Sequence, residues 1–194
     1  PNRRNYGGVG VMIDAPHLKL SISAADQLRV SGPLAARAKQ VAQRWIDSQD
    51  DIEKLSCHIE INNAPPQHCG LGVGTQLAMS VVAGLNAWFD RPTDDPHECA
   101  QLAGRGRRSA VCVYGFLTGG LIVESGKRPG ELLSPLAQRI DFPSDWRFVL
   151  IRPSLRSGVS GKQEQLAFKS LPPVEKAISQ QLRDEVRQHM LPAL

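Results

Sequence analysis

Long apolar runs, paired cysteines and aromatic residues are all scarce in this sequence of 194 residues. No stretch of about eighteen consecutive apolar residues occurs, so we expect no membrane-spanning segment. The cysteines form no CxxC pair and have no histidines at zinc-site spacing, which excludes the common zinc modules. We therefore expect free thiols in a reducing compartment, hence a cytoplasmic protein. The four thiols are those of Cys57, Cys69, Cys99 and Cys112.

A large excess of charge of one sign is also absent. Lysine and arginine number 23 against 19 acidic residues, a net charge of +4. This charge is modest for a nucleic-acid binder but suits an enzyme whose substrates carry phosphate and carboxylate groups. Aromatic residues make up only 5% of the chain and do not interleave with the basic ones, which weakens the alternative of a non-enzymatic nucleic-acid-binding domain.

Apolar periodicity in the first third of the chain alternates between strand and helix. The segments "GVGVMID" and "HLKLSIS" predict two strands, which the turn between them would join as a hairpin. The segment "LAARAKQVAQRWIDS" has one apolar face at helical spacing and follows a Gly-Pro pair. Alternation at Cys57, Ile59 and Ile61 predicts a half-buried strand. These changes of period indicate an α+β fold.

The later part of the sequence predicts the last elements of a first domain and the first elements of a second one. Asp95 and Pro96 are a helix cap and first helical residue, and "GGLIVES" is a strand. The segment "WRFVLIRP" predicts a strand that opens the second domain, and Val174, Ile178 and Leu182 mark a final helix. We therefore expect domains at 1–143 and 144–194. Because the sequence starts without Met and stops within a helical pattern, we expect a fragment of a longer chain that lacks both ends, with an incomplete second domain.

A glycine-rich segment, "PPQHCGLGVGTQ", precedes a helix whose apolar face carries Leu77, Val81, Leu85 and Trp88. Unpaired N–H groups at such a helix start form a site for phosphate. A tight connection that lets the helix pack closely on a strand would need the same glycines. No lysine follows in the Walker pattern, and the spacing is not that of a dinucleotide-binding turn.

Two segments are similar to one superfamily. The string "PQHCGLGVGT" resembles the phosphate-binding motif of the GHMP superfamily, and "GRGRRSAVCVYGFLTGG" resembles its P-S-G-x-D segment. Together with "YGGVG", they resemble the β-ribofuranosylaminobenzene 5′-phosphate synthase family over essentially the whole chain. The resemblance implies a GHMP-kinase-like N-terminal α/β domain with a ribosomal-protein-like βαβ unit, followed by the start of a GHMP C-terminal domain.

The resemblance also indicates that kinase chemistry is lost. Laid over the P-S-G-x-D segment, Ser109 matches the serine, Ala110 the glycine, and Cys112 the aspartate that helps the substrate hydroxyl lose its proton. General-base help is worth about 10²–10⁴-fold, and a neutral thiol is a poor substitute. A GHMP-type, ATP-dependent small-molecule kinase nevertheless stays open as an alternative.

The activity implied by the resemblance is a transfer of ribose phosphate in methanopterin biosynthesis. The donor would be phosphoribosyl diphosphate and the acceptor 4-hydroxybenzoate or 4-aminobenzoate, with loss of carbon dioxide and diphosphate. The sequence does not distinguish the two acceptors. A homodimer is plausible for the family, and neither a nucleic acid nor a membrane is an expected partner.

Candidate residues fall into four groups. We predict catalytic roles for Arg105, Arg107, Arg108 and Ser109, since guanidinium groups between glycines can approach a phosphate or carboxylate closely, although a solvated turn is the alternative. The predicted phosphate-binding residues are Pro66, His68, Gly70, Leu71, Gly72, Val73, Gly74 and Thr75. The substrate cleft would include Tyr6, Gly7 and Gly8. The cofactor would be Mg²⁺, with Asp14 and Glu60 as weak candidate ligands.

Overall fold

The computed structural model describes residues 4–52, 54, 56–151, 166–167, 170–172 and 174–194. The chain divides into two compact units, Pro1–Asp141 and Phe142–Leu194. Every residue of the candidate site lies in the first unit.

The first unit contains six strands and four helices among its described residues, arranged as two three-stranded sheets. In chain order they are β1 (Gly8–Val11), β2 (Lys19–Ala24), β3 (Arg29–Ser31), α1 (Ala35–Ile46), β4 (Cys57–Asn63), α2 (Val73–Trp88), α3 (Pro96–Ala103), α4 (Val111–Thr118), β5 (Leu121–Glu124) and β6 (Leu136–Ile140). One sheet has the order β1-β5-β6 and is antiparallel. The other has the order β2-β4-β3, in which β3 and β4 are parallel and α1 connects them. This mixture, with its βαβ unit, confirms the predicted α+β class.

Helix α2 is the centre of the core. Eight of its sixteen residues are buried, and it contacts α1, α3, α4 and strand β2. Trp45 of α1 is fully buried, stacks on Phe89 with ring centroids 5.2 Å apart, and donates its indole N–H to Asn86 Oδ1 at 2.7 Å. Ile59 and Ile61 supply the buried face of β4. This packing fixes the position and direction of the start of α2, where the glycine-rich segment ends.

The predicted hairpin is wrong. Strand β1 pairs with β5, and β2 pairs with β4, so the two strands belong to different sheets. The glycines of β1 explain this placement, because they let the strand lie directly against helix α4. A Cβ atom on Gly10 would lie 2.5 Å from Val111 Cγ1, a distance no side chain tolerates. The sequence pattern predicted both strands correctly, but it gave no information on which distant strand pairs with β1.

The predictions for the helices are confirmed, and three elements went unpredicted. Helices α1, α2 and α3 form where the periodicity places them, and Asp95 caps α3 by accepting the N–H of Glu98 at 2.9 Å. Trp88, predicted on the apolar face of α2, is instead 42% exposed. Strands β3 and β6 and helix α4 have no counterpart in the predictions, because each is short and α4 has little polar contrast between its faces.

The strand predicted at the start of the second unit is not found in its described residues. Residues 146–151 of "WRFVLIRP" form no strand, and Arg152 and Pro153 lie outside the described residues. A strand is stabilised by hydrogen bonds to a neighbour, and none of the described residues pairs with this segment. Val149 is 83% exposed as a result. The predicted final helix is confirmed as α5 (Lys176–Glu185), which continues as a π turn (Val186–Met190) and a 3₁₀ turn (Leu191–Ala193).

Candidate phosphate and substrate site

Helix α2 begins without a side-chain cap. Its N-cap residue, Gly72, is in the left-handed region at φ 62° and ψ 17°, and no side chain accepts its first N–H groups. Thr75 and Gln76 donate to the Gly72 carbonyl at 2.9 and 3.0 Å. The N–H groups of Val73 and Gly74 have no acceptor within the described part of the chain. These free donors, at the positive end of the helix dipole, are suited to binding an anion.

The thiol of Cys112 lies directly against this turn. A Cβ atom on Gly72 would lie only 2.6 Å from Cys112 Sγ, so only glycine fits at this contact. Gln76 Nε2 also donates to the Cys112 carbonyl at 3.3 Å, which ties α2 to the first turn of α4. Burial raises the pKa of the Cys112 thiol, and the negative charge of Glu124 raises it further. The group beside the turn is therefore a protonated thiol at neutral pH, which cannot act as a base.

The start of α4 already holds a carboxylate. Glu124 on β5 is 4% exposed, and its Oε2 accepts the N–H of Ala110 at 2.7 Å. Ser109, a predicted catalytic residue, accepts the N–H of Val111 through its Oγ at 3.3 Å. The hydroxyl of Ser109 thus bonds to the backbone of the helix start, although the residue itself is exposed. The start of α4 already has a carboxylate bound to its backbone, whereas the first N–H groups of α2 are free. The start of α2 is therefore the better place for an external anion.

Arg105 connects the arginine loop, residues 104–108, to the start of α2. Its Nη2 donates to the Gly74 carbonyl at 2.8 Å, and its Nε is buried without a hydrogen-bond partner among the described residues. Burial lowers the pKa of the Arg105 guanidinium, and the positive charges of Arg37, Arg44 and Arg107 lower it further. Among the residues that the structure describes, no carboxylate offsets these positive charges at the Arg105 guanidinium. The side chain nevertheless stays charged, because arginine holds its proton in proteins.

Two arginines of α1 reach the same region. A Cβ atom on Gly74 would lie 3.6 Å from Arg37 Nη1 and 3.7 Å from Arg105 Nη2, so both guanidinium groups flank the start of α2. Arg37 Nη1 also donates to the side chain of Gln67. Arg44 lies about two turns further along α1, where its Nη1 donates to the Ala103 carbonyl at 3.3 Å. Neither residue was among the predicted site residues, although their spacing of seven on a predicted helix places them on one face.

A surface depression of about 260 Å³ adjoins the arginine loop. Its lining residues are Asn5, Tyr6, Arg107, Lys127, Arg128, Pro129, Gly130 and Glu131. Tyr6 is 54% exposed, so its ring is accessible to a ligand. The ammonium group of Lys127 is already engaged in hydrogen bonds. Its Nζ donates to the carbonyls of Gly106, Arg107 and Leu132 at 3.2, 3.2 and 2.7 Å. The ammonium group therefore holds the arginine loop in place.

The structure brings some of the predicted residues together and separates others. Tyr6 and Arg107 share the depression, and Arg105 contacts Gly74. In contrast, Gly7 and Gly8 are not among the residues that line it. A Cβ atom on Gly8 would instead lie 3.2 Å from Glu124 Oε1, so this glycine makes room for the buried carboxylate.

The other predicted phosphate-binding residues could contact a ligand mainly through their backbone N–H groups. Pro66, His68 and Gly70 are exposed, and Leu71 is half-buried. Val73 is 4% exposed, so only its N–H could reach a ligand. Glu124 and Lys127 were missed as well, since a single acidic residue in an apolar strand and a single surface lysine give no sequence signal.

The predicted metal ligands do not form a common site. Asp14 lies exposed after β1, and Glu60 is exposed on β4, which belongs to the other sheet. Among the described residues no group of three or more histidine, cysteine, aspartate or glutamate side chains could hold a metal ion. The two carboxylates therefore do not fit an Mg²⁺ ion bound by the protein alone, and the need for Mg²⁺ stays a prediction. In the described part of the chain no helix combines the length and apolar character needed to cross a membrane.

Comparison with known proteins gives one family and several relatives. Residues 34–120 match the model of the GHMP kinases N terminal domain. The chain is 28% identical to the beta-ribofuranosylphenol 5'-phosphate synthase of Methanothermobacter thermautotrophicus, over 97% of this chain and 63% of the relative. The enzyme of the same name from Archaeoglobus fulgidus is 27% identical over 97% of this chain and 62% of its own length.

The match covers the site described above except for its residues before 34 and after 120. The chain spans less than two thirds of the length of these curated relatives. The family model begins at Leu34, before α1, and ends at Gly120, before β5. The predicted resemblance is therefore confirmed: residues 34–120 match the model of the GHMP kinases N terminal domain, and the chain is similar over 97% of its length to beta-ribofuranosylphenol 5'-phosphate synthases.

Proposed function

We propose that this chain serves a pentosyltransferase that joins phosphoribosyl diphosphate to 4-hydroxybenzoate or 4-aminobenzoate, releasing carbon dioxide and diphosphate, in methanopterin biosynthesis. Two kinds of support favour it. The relatives carry the name of a ribofuranosylphenol phosphate synthase. The start of α2 and the arginines around it provide donors for phosphate groups, and the described side chain at the position of the kinase base is the thiol of Cys112, whose pKa is raised.

The observation that carries the proposal is the contact between Cys112 and Gly72. A GHMP-type kinase needs a base beside its phosphate loop, and the group that lies there is a thiol with a raised pKa. The proposed transfer needs no base at this point. A loop that binds phosphate beside a protonated thiol fits a reaction in which phosphate is held but no hydroxyl proton is removed.

The proposed reaction breaks one bond to the sugar and forms another. The bond between the anomeric carbon and the diphosphate oxygen breaks with its electron pair leaving on the diphosphate, which gives an oxocarbenium-like centre. The ring carbon that bears the carboxylate supplies the electron pair of the new carbon–carbon bond. Carbon dioxide then departs, and the electrons of its bond to the ring restore aromaticity. Guanidinium groups and backbone N–H groups would stabilise the departing negative charge.

The depression is the proposed site for the acceptor. Arg107 and Arg128 line it with Tyr6 on one side, so a benzoate carboxylate would find a guanidinium and the ring an aromatic face. Arg107 lines the depression and also acts electrostatically on Arg105, which contacts Gly74 at the start of α2. This position would place the acceptor next to the donor's diphosphate.

The test uses the full-length protein with phosphoribosyl diphosphate and each benzoate in turn, with diphosphate and carbon dioxide as the measured products. Release of both products in equal amounts supports the proposal, and the preferred benzoate identifies the acceptor. The family match favours a kinase as the second candidate, so ATP consumption with hydroxylated acceptors is measured in parallel. ATP-dependent phosphorylation without product from the benzoates would refute the transferase, as would RNA binding that weakens steeply with salt in the absence of any turnover.

A further inference from the structure

Two arginines on one side of α1 are not accounted for by the predicted site. Arg37 and Arg44 are seven residues apart, so they lie on the same side of the helix, with about 10.5 Å between them along its axis. Both border the buried face that contains Val41 and Trp45. Lys39 lies at the opposite border of that face and is exposed. The side chains of Arg37 and Arg44 therefore converge on one region, while Lys39 points away from it.

This region concentrates positive charge without a counterion. Arg105, at its centre, is influenced by Arg37, Arg44 and Arg107, and none of these four has a carboxylate partner among the described residues. The Nε of Arg105 is buried with its hydrogen bond unmade. A charged N–H removed from water without an acceptor is costly, and so is mutual repulsion within the group. An anionic ligand beside the accessible parts of these guanidinium groups would relieve the repulsion.

The positions of the contacts indicate how many phosphate groups fit. Arg37 and Arg105 flank Gly74, where the N–H groups of α2 are free. Arg44 reaches the backbone next to Arg105, since a Cβ atom on Gly104 would lie 2.6 Å from Arg44 Nη1. A single phosphate can occupy only one of these places. A ligand with two linked phosphate groups can occupy both.

We propose that Arg37 and Arg44 of α1 complete, with Arg105 and the uncapped start of α2, a binding site for a diphosphate group. One phosphate lies at the start of α2 between Arg37 and Arg105, and the other lies between Arg105 and Arg44. The inference rests on the proposed function in taking this group to be the diphosphate of phosphoribosyl diphosphate. It assigns a binding role to a helix that lies outside both motifs of the sequence.

The test is calorimetric titration of the full-length protein with inorganic diphosphate and, separately, with inorganic phosphate. We compare the wild type with Arg37→Gln, Arg44→Gln and the matched control Lys39→Gln, which removes the same charge from the other border of α1. Diphosphate affinity is expected to fall about tenfold or more in each arginine variant, because each loses a charged hydrogen bond. The control is expected to stay within about twofold. Phosphate, which occupies the α2 start alone, should weaken in Arg37→Gln and be little changed in Arg44→Gln.

Folding effects are separated by two further measurements. Thermal unfolding of each variant detects any loss of structure, and Arg37→Lys and Arg44→Lys, which keep the charge, should recover part of the affinity. Equal losses in Lys39→Gln and in the arginine variants would overturn the inference, since they would reflect total charge alone. Unchanged diphosphate affinity in both arginine variants would also overturn it. Diphosphate binding that depends on both arginines, in a protein without ribosyl transfer, would refute the proposed function and leave this site standing.

Discussion

Replacing Cys112 by aspartate tests whether the start of α2 holds phosphate for transfer or for a kinase reaction. The thiol is close enough to the turn that Gly72 has no room for a Cβ atom. For a carboxylate at this place and a phosphate bound to the α2 donors, we take a separation of about 5 Å. With an effective dielectric constant of about 20, the repulsion between two unit charges at that distance is about 3 kcal/mol, or roughly a hundredfold in affinity.

The matched control is Cys112→Asn, which has the shape of aspartate without its charge. The ratio between the two variants isolates the charge, because both crowd Gly72 equally. Cys112→Ala removes only the sulfur and is expected to leave ribosyl transfer within about tenfold of wild type, about 1.4 kcal/mol of barrier. In the proposed transferase the aspartate variant therefore binds phosphoribosyl diphosphate most weakly of the three.

The assay follows diphosphate and carbon dioxide release over a range of phosphoribosyl diphosphate concentrations, with ATP consumption measured alongside. The charge effect is expected in KM for phosphoribosyl diphosphate, since the thiol takes no part in the bond changes. If the aspartate variant transfers ribose phosphate as well as the asparagine variant, the phosphate does not lie at the start of α2. If aspartate instead creates ATP-dependent phosphorylation, the position is that of a kinase base and the proposed function is refuted.

Three further predictions concern the supports of the site. Gly72→Ala should weaken phosphate binding more than Gly70→Ala in the same titration: both have positive φ, but only Gly72 has a neighbour where its Cβ would go. Lys127→Met removes the ammonium group that three carbonyls accept from, and it should lower the rate of ribosyl transfer. A rate equal to that of the wild type would show that the arginine loop keeps its shape without Lys127. Trp45→Phe should cost about 2–4 kcal/mol of unfolding free energy in denaturant titrations, because it leaves a buried amide oxygen unpaired and a cavity; a cost below about 1 kcal/mol would contradict the packing described.

Local signals in the sequence were sufficient for most of the first unit. Helix α1 follows from an apolar repeat after a Gly-Pro pair, and α3 from the Asp95 cap, and both depend on residues close together in the chain. The partner of β1 could not be found in this way. Its pairing with β5 is decided by packing of Gly10 against α4, more than a hundred residues away.

The same limit applies to the site. The motif around Gly72 identified the turn, and the matching segment identified Cys112, although neither revealed that the two touch. Arg37 was absent from the prediction because α1 is outside both motifs, and its role depends on how α1 packs beside α2. Glu124 could not be recognised either, since only the fold shows that a carboxylate on β5 meets the start of α4. Motifs give the residues of a turn, whereas the charges around it come from tertiary packing.

The antiparallel pairing of β1 with β5 also sets the order in which the site can form. Strand β1 finds its partner only after residues 121–124 have been synthesised, so the N-terminal segment must wait for most of the first unit. Closing so long a loop costs chain entropy that local contacts do not repay. The βαβ unit and α2, whose contacts are nearer in sequence, can assemble earlier. The start of α2 therefore takes shape before Tyr6 reaches the depression, and ribosome-bound chains should acquire an anion site before an aromatic one.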